Sequence, residues 1–157
     1  MDAKVGARER FDSERQQLIA LSHRLHANPE LGWQEEKACA WLCEELANAG
    51  FEVTRGICGL PTAFIARAGN GPLHLAICAE YDSLPGIGHA CGHNIIAAMG
   101  LGAGIAAANV ADDIGATISV IGTPAEEVCE ASGKVLLLER VRARLAAASQ
   151  ARTAGTT

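Results

Sequence analysis

With 157 residues, 49% of them hydrophobic, and a formal net charge of −5, the chain can bury a core and is too apolar to remain disordered. The negative balance argues against nucleic acid, whose phosphates ask for a basic face. No run of about 18 residues is apolar without polar breaks, so no membrane span is expected, and the charged stretch 1–10 lacks the apolar segment of a secretory signal. The expected setting is cytoplasmic. Six cysteines (39, 43, 58, 78, 91 and 129) form no C-x-x-C pair, and all but Cys91 read as reduced, buried thiols. Only 4% of residues are aromatic, so the core must be filled by Ala, Leu, Ile and Val, and modest stability follows.

In chain order, residues 13–27 read as an amphipathic helix with Leu18, Ile19, Leu21 and Leu25 on one face and Ser13 as its cap. Asn28-Pro29 should end it, because the residue before proline is pushed out of the helical region. Residues 34–49 repeat the helical spacing through Ala38, Trp41, Leu42, Glu45 and Leu46, and Gly50 stops the run. Strand signals follow at 51–55, 62–67 and 73–79. Asn70-Gly71 predicts a hairpin between the last two. LHLAICA (73–79) is apolar almost throughout, which predicts a strand buried on both faces. A glycine-rich loop, 86–92, leads into an Ala- and Gly-rich helix over 95–109. A strand at 117–122 precedes a loop bearing Glu126 and Glu127, and a last helix starts near Ser132. From Arg140 onward the chain has four arginines and no acid, and reads as a frayed helix or disorder.

Helices alternating with buried strands imply a three-layer α/β sheet, at least partly parallel. Sites in such sheets form in loops beyond the carboxyl ends of strands. Two polar clusters lie there. The stretch 79–94, AEYDSLPGIGHACGHN, places Glu80, Asp82, His89, Cys91 and His93 in one loop whose glycines allow side chains to converge. A thiolate and an imidazole two residues apart suit a borderline-soft divalent metal. GTPAEE (122–127) adds paired carboxylates, which permit one to bind metal while the other moves a proton. Taken singly, each has a bland alternative: a core cysteine is more often a small hydrophobe, and glutamates at a helix start usually offset the dipole.

The segments HRLHANPELGWQEEKA, AEYDSLPGIGHACGHN and GTPAEE resemble the M20 metallopeptidase family, in its aminoacylase-like and aminobenzoyl-glutamate hydrolase-like amidohydrolase branch. The resemblance runs from about residue 14 to residue 139, and Asn94 is similar to the aminobenzoyl-glutamate and dipeptidase-like members. It implies a Zn-exopeptidase-like catalytic domain with an inserted dimerisation domain, hence a homo-oligomer. It also implies a centre of up to two zinc, manganese or cobalt ions, and hydrolysis of an amide, dipeptide, N-acyl-amino acid or aminobenzoyl-glutamate-like substrate. By resemblance, Cys91, His93 and Glu127 match metal ligands, Glu126 matches the general base, and Asp82 matches the acid that orients or tunes the site. His89 matches no ligand position and reads as a supporting or substrate-facing group. His23 and His26 read as packing or hydrogen-bonding residues, Trp33 and Trp41 as core or near-core aromatics, and His74 has no evident partner.

The chain departs from that pattern. No histidine follows His93, whereas the family supplies further ligand histidines downstream, and VCEAS (128–132) stands where a glycine-rich stretch is usual. The expectation is a truncated N-terminal part of the catalytic domain (1–139) followed by an unmatched tail (140–157). It should be weakly active or inactive, with an unpaired sheet edge prone to aggregation. A non-catalytic binding module that pairs with a longer chain is the second reading, and a redox or metal-storage role built on Cys91 the third.

Overall fold

The computed structural model describes residues 2–154. Helix α1 (Ala3–His26) starts ten residues before the expected point. Its cap is Asp2, whose carboxylate accepts the Lys4 N–H at 2.9 Å. Ser13 lies inside the helix and turns its hydroxyl back onto the Arg10 carbonyl, because a serine within a helix bonds the preceding turn when no free N–H is left to cap. Leu18, Leu21 and Leu25 are buried as their spacing predicts, and Ile19 faces solvent. Helix α2 (Glu36–Asn48) ends at Gly50, which takes the left-handed φ of +90°. Arg24 of α1 stacks over the ring of half-buried Trp41.

Strands β1 (Glu52–Arg55), β2 (Phe64–Ala68), β3 (Leu73–Ala79) and β4 (Ala116–Gly122) form one sheet in the order β1-β2-β4-β3. β2 is antiparallel to β1 and β4, and β3 is parallel to β4. The hairpin expected at Asn70-Gly71 does not form, because β4 inserts between β2 and β3. The connection instead crosses the start of β4. There Gly71 donates its N–H to the Ala116 carbonyl, and a Cβ on Gly71 would sit 1.9 Å from the Gly115 carbonyl carbon. Asn-Gly supplies a tight turn; the partner of the strand after it is chosen by the rest of the fold.

Helix α3 (His93–Ala108) crosses from β3 to β4, as a parallel pair requires. Its glycines explain its packing: a Cβ at Gly104 would meet Val120 at 2.3 Å, and one at Gly102 would meet Leu18 and Phe11 at under 3 Å. One core gathers Leu21 and Leu25, Leu42 and Leu46, Leu101 and Ile105, and Phe64, Ile118 and Val120 of the sheet. A 3₁₀ turn (Glu126–Ala131) leads into helix α4 (Gly133–Ala154), so the described part of the expected tail is helical. Residues 155–157 of that tail lie outside the described residues.

Two further expectations are corrected. β3 is not buried on both faces: it is an edge strand, with Leu73 50% and Leu75 42% exposed. Nor are the cysteines other than Cys91 all buried. Cys39 and Cys43 are, but Cys58 is half-buried, and Cys78, on the edge strand, and Cys129, in the turn, are exposed. Among the described residues, no helix is long and apolar enough to cross a membrane.

Candidate metal centre

β3 and β4 run side by side and end level, Ala79 opposite Gly122, so the loops that leave them share one space. Thr123 stitches them there, its N–H and its hydroxyl both donating to the Ala79 carbonyl. The first loop returns through Gly92, whose left-handed φ of +79° delivers His93 as the first residue of α3. The second is the acidic turn, entered through Ala125 at φ +53°, a left-handed conformation unusual for a residue with a side chain.

Asp82 joins the two loops. It is 1% exposed, and its Oδ2 accepts the Glu127 N–H at 3.0 Å. Its Oδ1 and its backbone carbonyl oxygen each lie 3.0 Å from Nδ1 of His93, and the ring N–H is directed at the carbonyl. With Nδ1 so engaged, the lone pair of the neutral ring sits on Nε2. Around Nε2 stand Glu80 Oε2 at 3.7 Å, Glu126 Oε2 at 3.7 Å and Glu127 Oε1 at 3.8 Å. Ligand atoms of His93, Glu126 and Glu127 all lie within 4.8 Å of one another.

The electrostatics follow from this crowding. The Asp82 hydrogen bond holds His93 above its ordinary value against the opposing effect of burial, and Glu80 adds to the rise. Burial pushes Asp82 up, but the His93 ring and the turn N–H groups outweigh it and bring the carboxyl below its usual range. Lys134, in the first turn of α4, places its ammonium 2.5 Å from Glu80 and 3.7 Å from Glu126. Four acids thus surround one imidazole and one lysine. An imidazole nitrogen facing two or three carboxylates is a donor set that zinc, manganese or cobalt accepts, and a dication would relieve the acids' mutual repulsion. The residues present fit a metal.

Of the residues singled out in the sequence, His93, Glu126 and Glu127 converge, and Asp82 orients the first and the last of them. Cys91 is exposed and is not among the ligand atoms that converge; the neighbouring Glu127 carboxylate pushes its thiol up. His89 stands apart, buried, with its ring 6.4 Å from that of His26 and its Nδ1 without a hydrogen-bond partner. Burial pushes it down.

Three participants have no role in the reading of the sequence. Glu80 falls in the first cluster but matches no role there. Lys134 sits in what reads as a plain helix start. Glu35 reads as the edge of α2, yet it is fully buried: its Oε1 accepts the Ala125 N–H at 2.7 Å and its Oε2 accepts the Thr62 hydroxyl at 3.1 Å. Burial raises its carboxyl, opposed by the N–H groups of Glu35, Ala125 and Trp33 and by the Thr62 hydroxyl. Only long-range contacts show what Lys134 and Glu35 touch, and no local spacing assigns them to the site.

No family model matches the chain. Individual proteins do. It is 40% identical over 152 residues to a mouse Xaa-Arg dipeptidase, covering 87% of this chain and 34% of the relative. It is 30% identical over 147 residues to one of the subunits of Escherichia coli p-aminobenzoyl-glutamate hydrolase, covering 82% of this chain and 30% of that protein. A dinuclear metal-binding peptidase of the M20 family from Bacillus subtilis superposes with a TM-score of 0.64 at 26% identity, over 82% of this chain and 40% of its own. The chain spans about a third of the length of the curated relatives it matches.

Proposed function

We propose that this chain, a homologue of the M20 metal-dependent peptidases and amidohydrolases over most of its length, carries the metal-holding part of a centre that hydrolyses amide bonds. The observation that carries this reading is the Nε2 of His93, left bare by Asp82 and faced by Glu126 and Glu127. His93 and Glu127 would hold a divalent ion, with Cys91, whose thiol lies near the Glu127 carboxylate, as a further ligand. Zinc, manganese or cobalt suits these donors, up to two ions in the complete site. When bound, such an ion polarises an amide carbonyl and acidifies water.

The chain's own residues supply the rest. Asp82 holds the His93 ring in one tautomer and one orientation, its backbone carbonyl accepting the ring N–H with its carboxylate alongside, as a partner behind a ligand histidine does. Among the described residues the Glu126 carboxylate has no hydrogen bond fixing it, and it is 36% exposed beside His93, so it can take a proton from water and return it to the departing amine. Lys134 offsets the charge of Glu80 and Glu126. The substrate class proposed is a dipeptide, N-acyl-amino acid or aminobenzoyl-glutamate-like amide, acted on by a soluble cytoplasmic homo-oligomer of the complete protein.

Metal binding tests this directly. Titration with zinc or cobalt is expected to show binding to the chain that falls about 100-fold or more in His93→Ala and about 10- to 100-fold in Asp82→Asn. Hydrolysis of a dipeptide panel with added zinc or manganese is expected to be weak, since few protein ligands are in place. Unchanged metal affinity in both variants would remove the proposal.

A further inference from the structure

We propose that Glu35 is a positioning residue for the acidic turn, latching the backbone of Glu126 and Glu127 to the connector between α1 and α2. The proposal deepens the metal-centre reading and rests on it for its functional consequence. Glu35 lies ninety positions from Ala125 in the chain, yet its carboxylate takes the N–H of the residue immediately before Glu126. Ala125 holds the left-handed φ of +53°, a conformation that persists only where surrounding contacts over-determine it. Glu35 supplies one such contact. Gly32 supplies the room for it: a Cβ there would meet Val128 Cγ2 at 2.8 Å and Ala125 Cβ at 3.1 Å, so connector and turn touch without a side chain between them.

The same connector holds the other loop. Ser83 donates both its N–H and its hydroxyl to the Glu30 carbonyl, at 2.8 and 2.9 Å, and Leu31 bridges to Ser83. Ser83 follows Asp82, and Ala125 precedes Glu126. A single short segment therefore grips each half of the site one residue from a group that faces His93. An apolar side chain in place of Glu35 would avoid the cost of burying a carboxylate, but it could not bind the Ala125 N–H.

The test uses the metal-free chain and the chain titrated with cobalt. In Glu35→Ala, amide hydrogen exchange at Ala125 is expected to rise at least tenfold while α3 and β4 stay protected. Cobalt affinity should fall about tenfold with an altered visible absorption spectrum, the signature of displaced ligands. Glu35→Gln, which keeps an acceptor for Ala125, is expected to restore most of both. Unchanged exchange at Ala125 in Glu35→Ala overturns the latch; where His93→Ala has abolished cobalt binding, an unchanged cobalt spectrum in Glu35→Ala overturns its positioning role. If Glu35→Ala does not fold, Thr62→Val decides: it removes the donor that steadies Oε2 and must speed exchange at Ala125, and an unaltered amide overturns the proposal. The exchange arm needs no metal. If His93→Ala leaves cobalt binding intact, the metal reading fails while the latch is still judged by exchange.

Discussion

β3 and β4 are both seven residues long and mostly apolar, without acids, lysine or arginine, and they lie parallel in one register from Leu73 opposite Ala116 to Ala79 opposite Gly122. Their environments differ sharply. β4 sits between two strands, and Ile118 and Val120 are fully buried under α3. β3 is at the edge, with Leu73, Leu75 and Cys78 open to solvent. Only at the carboxyl ends do the two become alike: Ala79 is sealed, Thr123 bridges the strands, and the acids and His93 gather. The comparison teaches that an apolar run specifies a strand, while the number of neighbours it acquires decides what the run contributes. It also shows that the buried end of the edge strand is the end that carries the candidate site.

The contrast can be broken most forcefully at the matched pair Ile118 and Leu75, which face each other across the ladder. Ile118→Ala should cost about 2–5 kcal/mol, because it leaves a cavity in a core that cannot collapse around it. Chemical denaturation reads this, and a loss below about 1 kcal/mol would mean that β4 is not the centre of the core.

The site end sharpens the comparison through pH. His93 is held above the ordinary histidine value of 6.5 by Asp82, so in the metal-free protein the pair adds stability that is complete below that value. It is lost as pH rises through the raised folded value. Asp82 sits below the ordinary carboxylate value of 3.8, so its contribution is present above that value and fades as pH falls through the lowered one. Thermal midpoints of the metal-free chain should therefore decline on the alkaline side, and His93→Gln should abolish that part of the decline. An identical alkaline profile in the variant would show that the pair adds nothing to the fold.

The smallest effect is expected at the edge itself. Leu75→Ala should cost less than about 1 kcal/mol, since the side chain is 42% exposed and little apolar area is lost from the interior. A loss equal to that of Ile118→Ala would mean that the edge is covered in solution.

Much of the site is legible in the sequence because its donors cluster: His93 lies eleven residues from Asp82, and Glu126 and Glu127 are adjacent. Each cluster directly follows a run that forms a strand. The contacts of Glu35 and Lys134 are not legible, since each acts on a group more than fifty residues away and no local spacing names that partner. Cys91 is legible as a ligand type, but its exposed placement against Glu127 is not.

By itself the sequence determined the four helices, the four strands and which loops would gather the acids and His93, because periodicity, turn residues and donor types are local properties. The tertiary structure decided that β4 would part β2 from β3, and that β3 would lie at the edge rather than in the core. It also decided that a buried glutamate near the start of the chain would grip the acidic turn. Strand order, burial and long-range hydrogen bonds depend on which distant segments exclude water from one another, and no window of neighbouring residues contains that information.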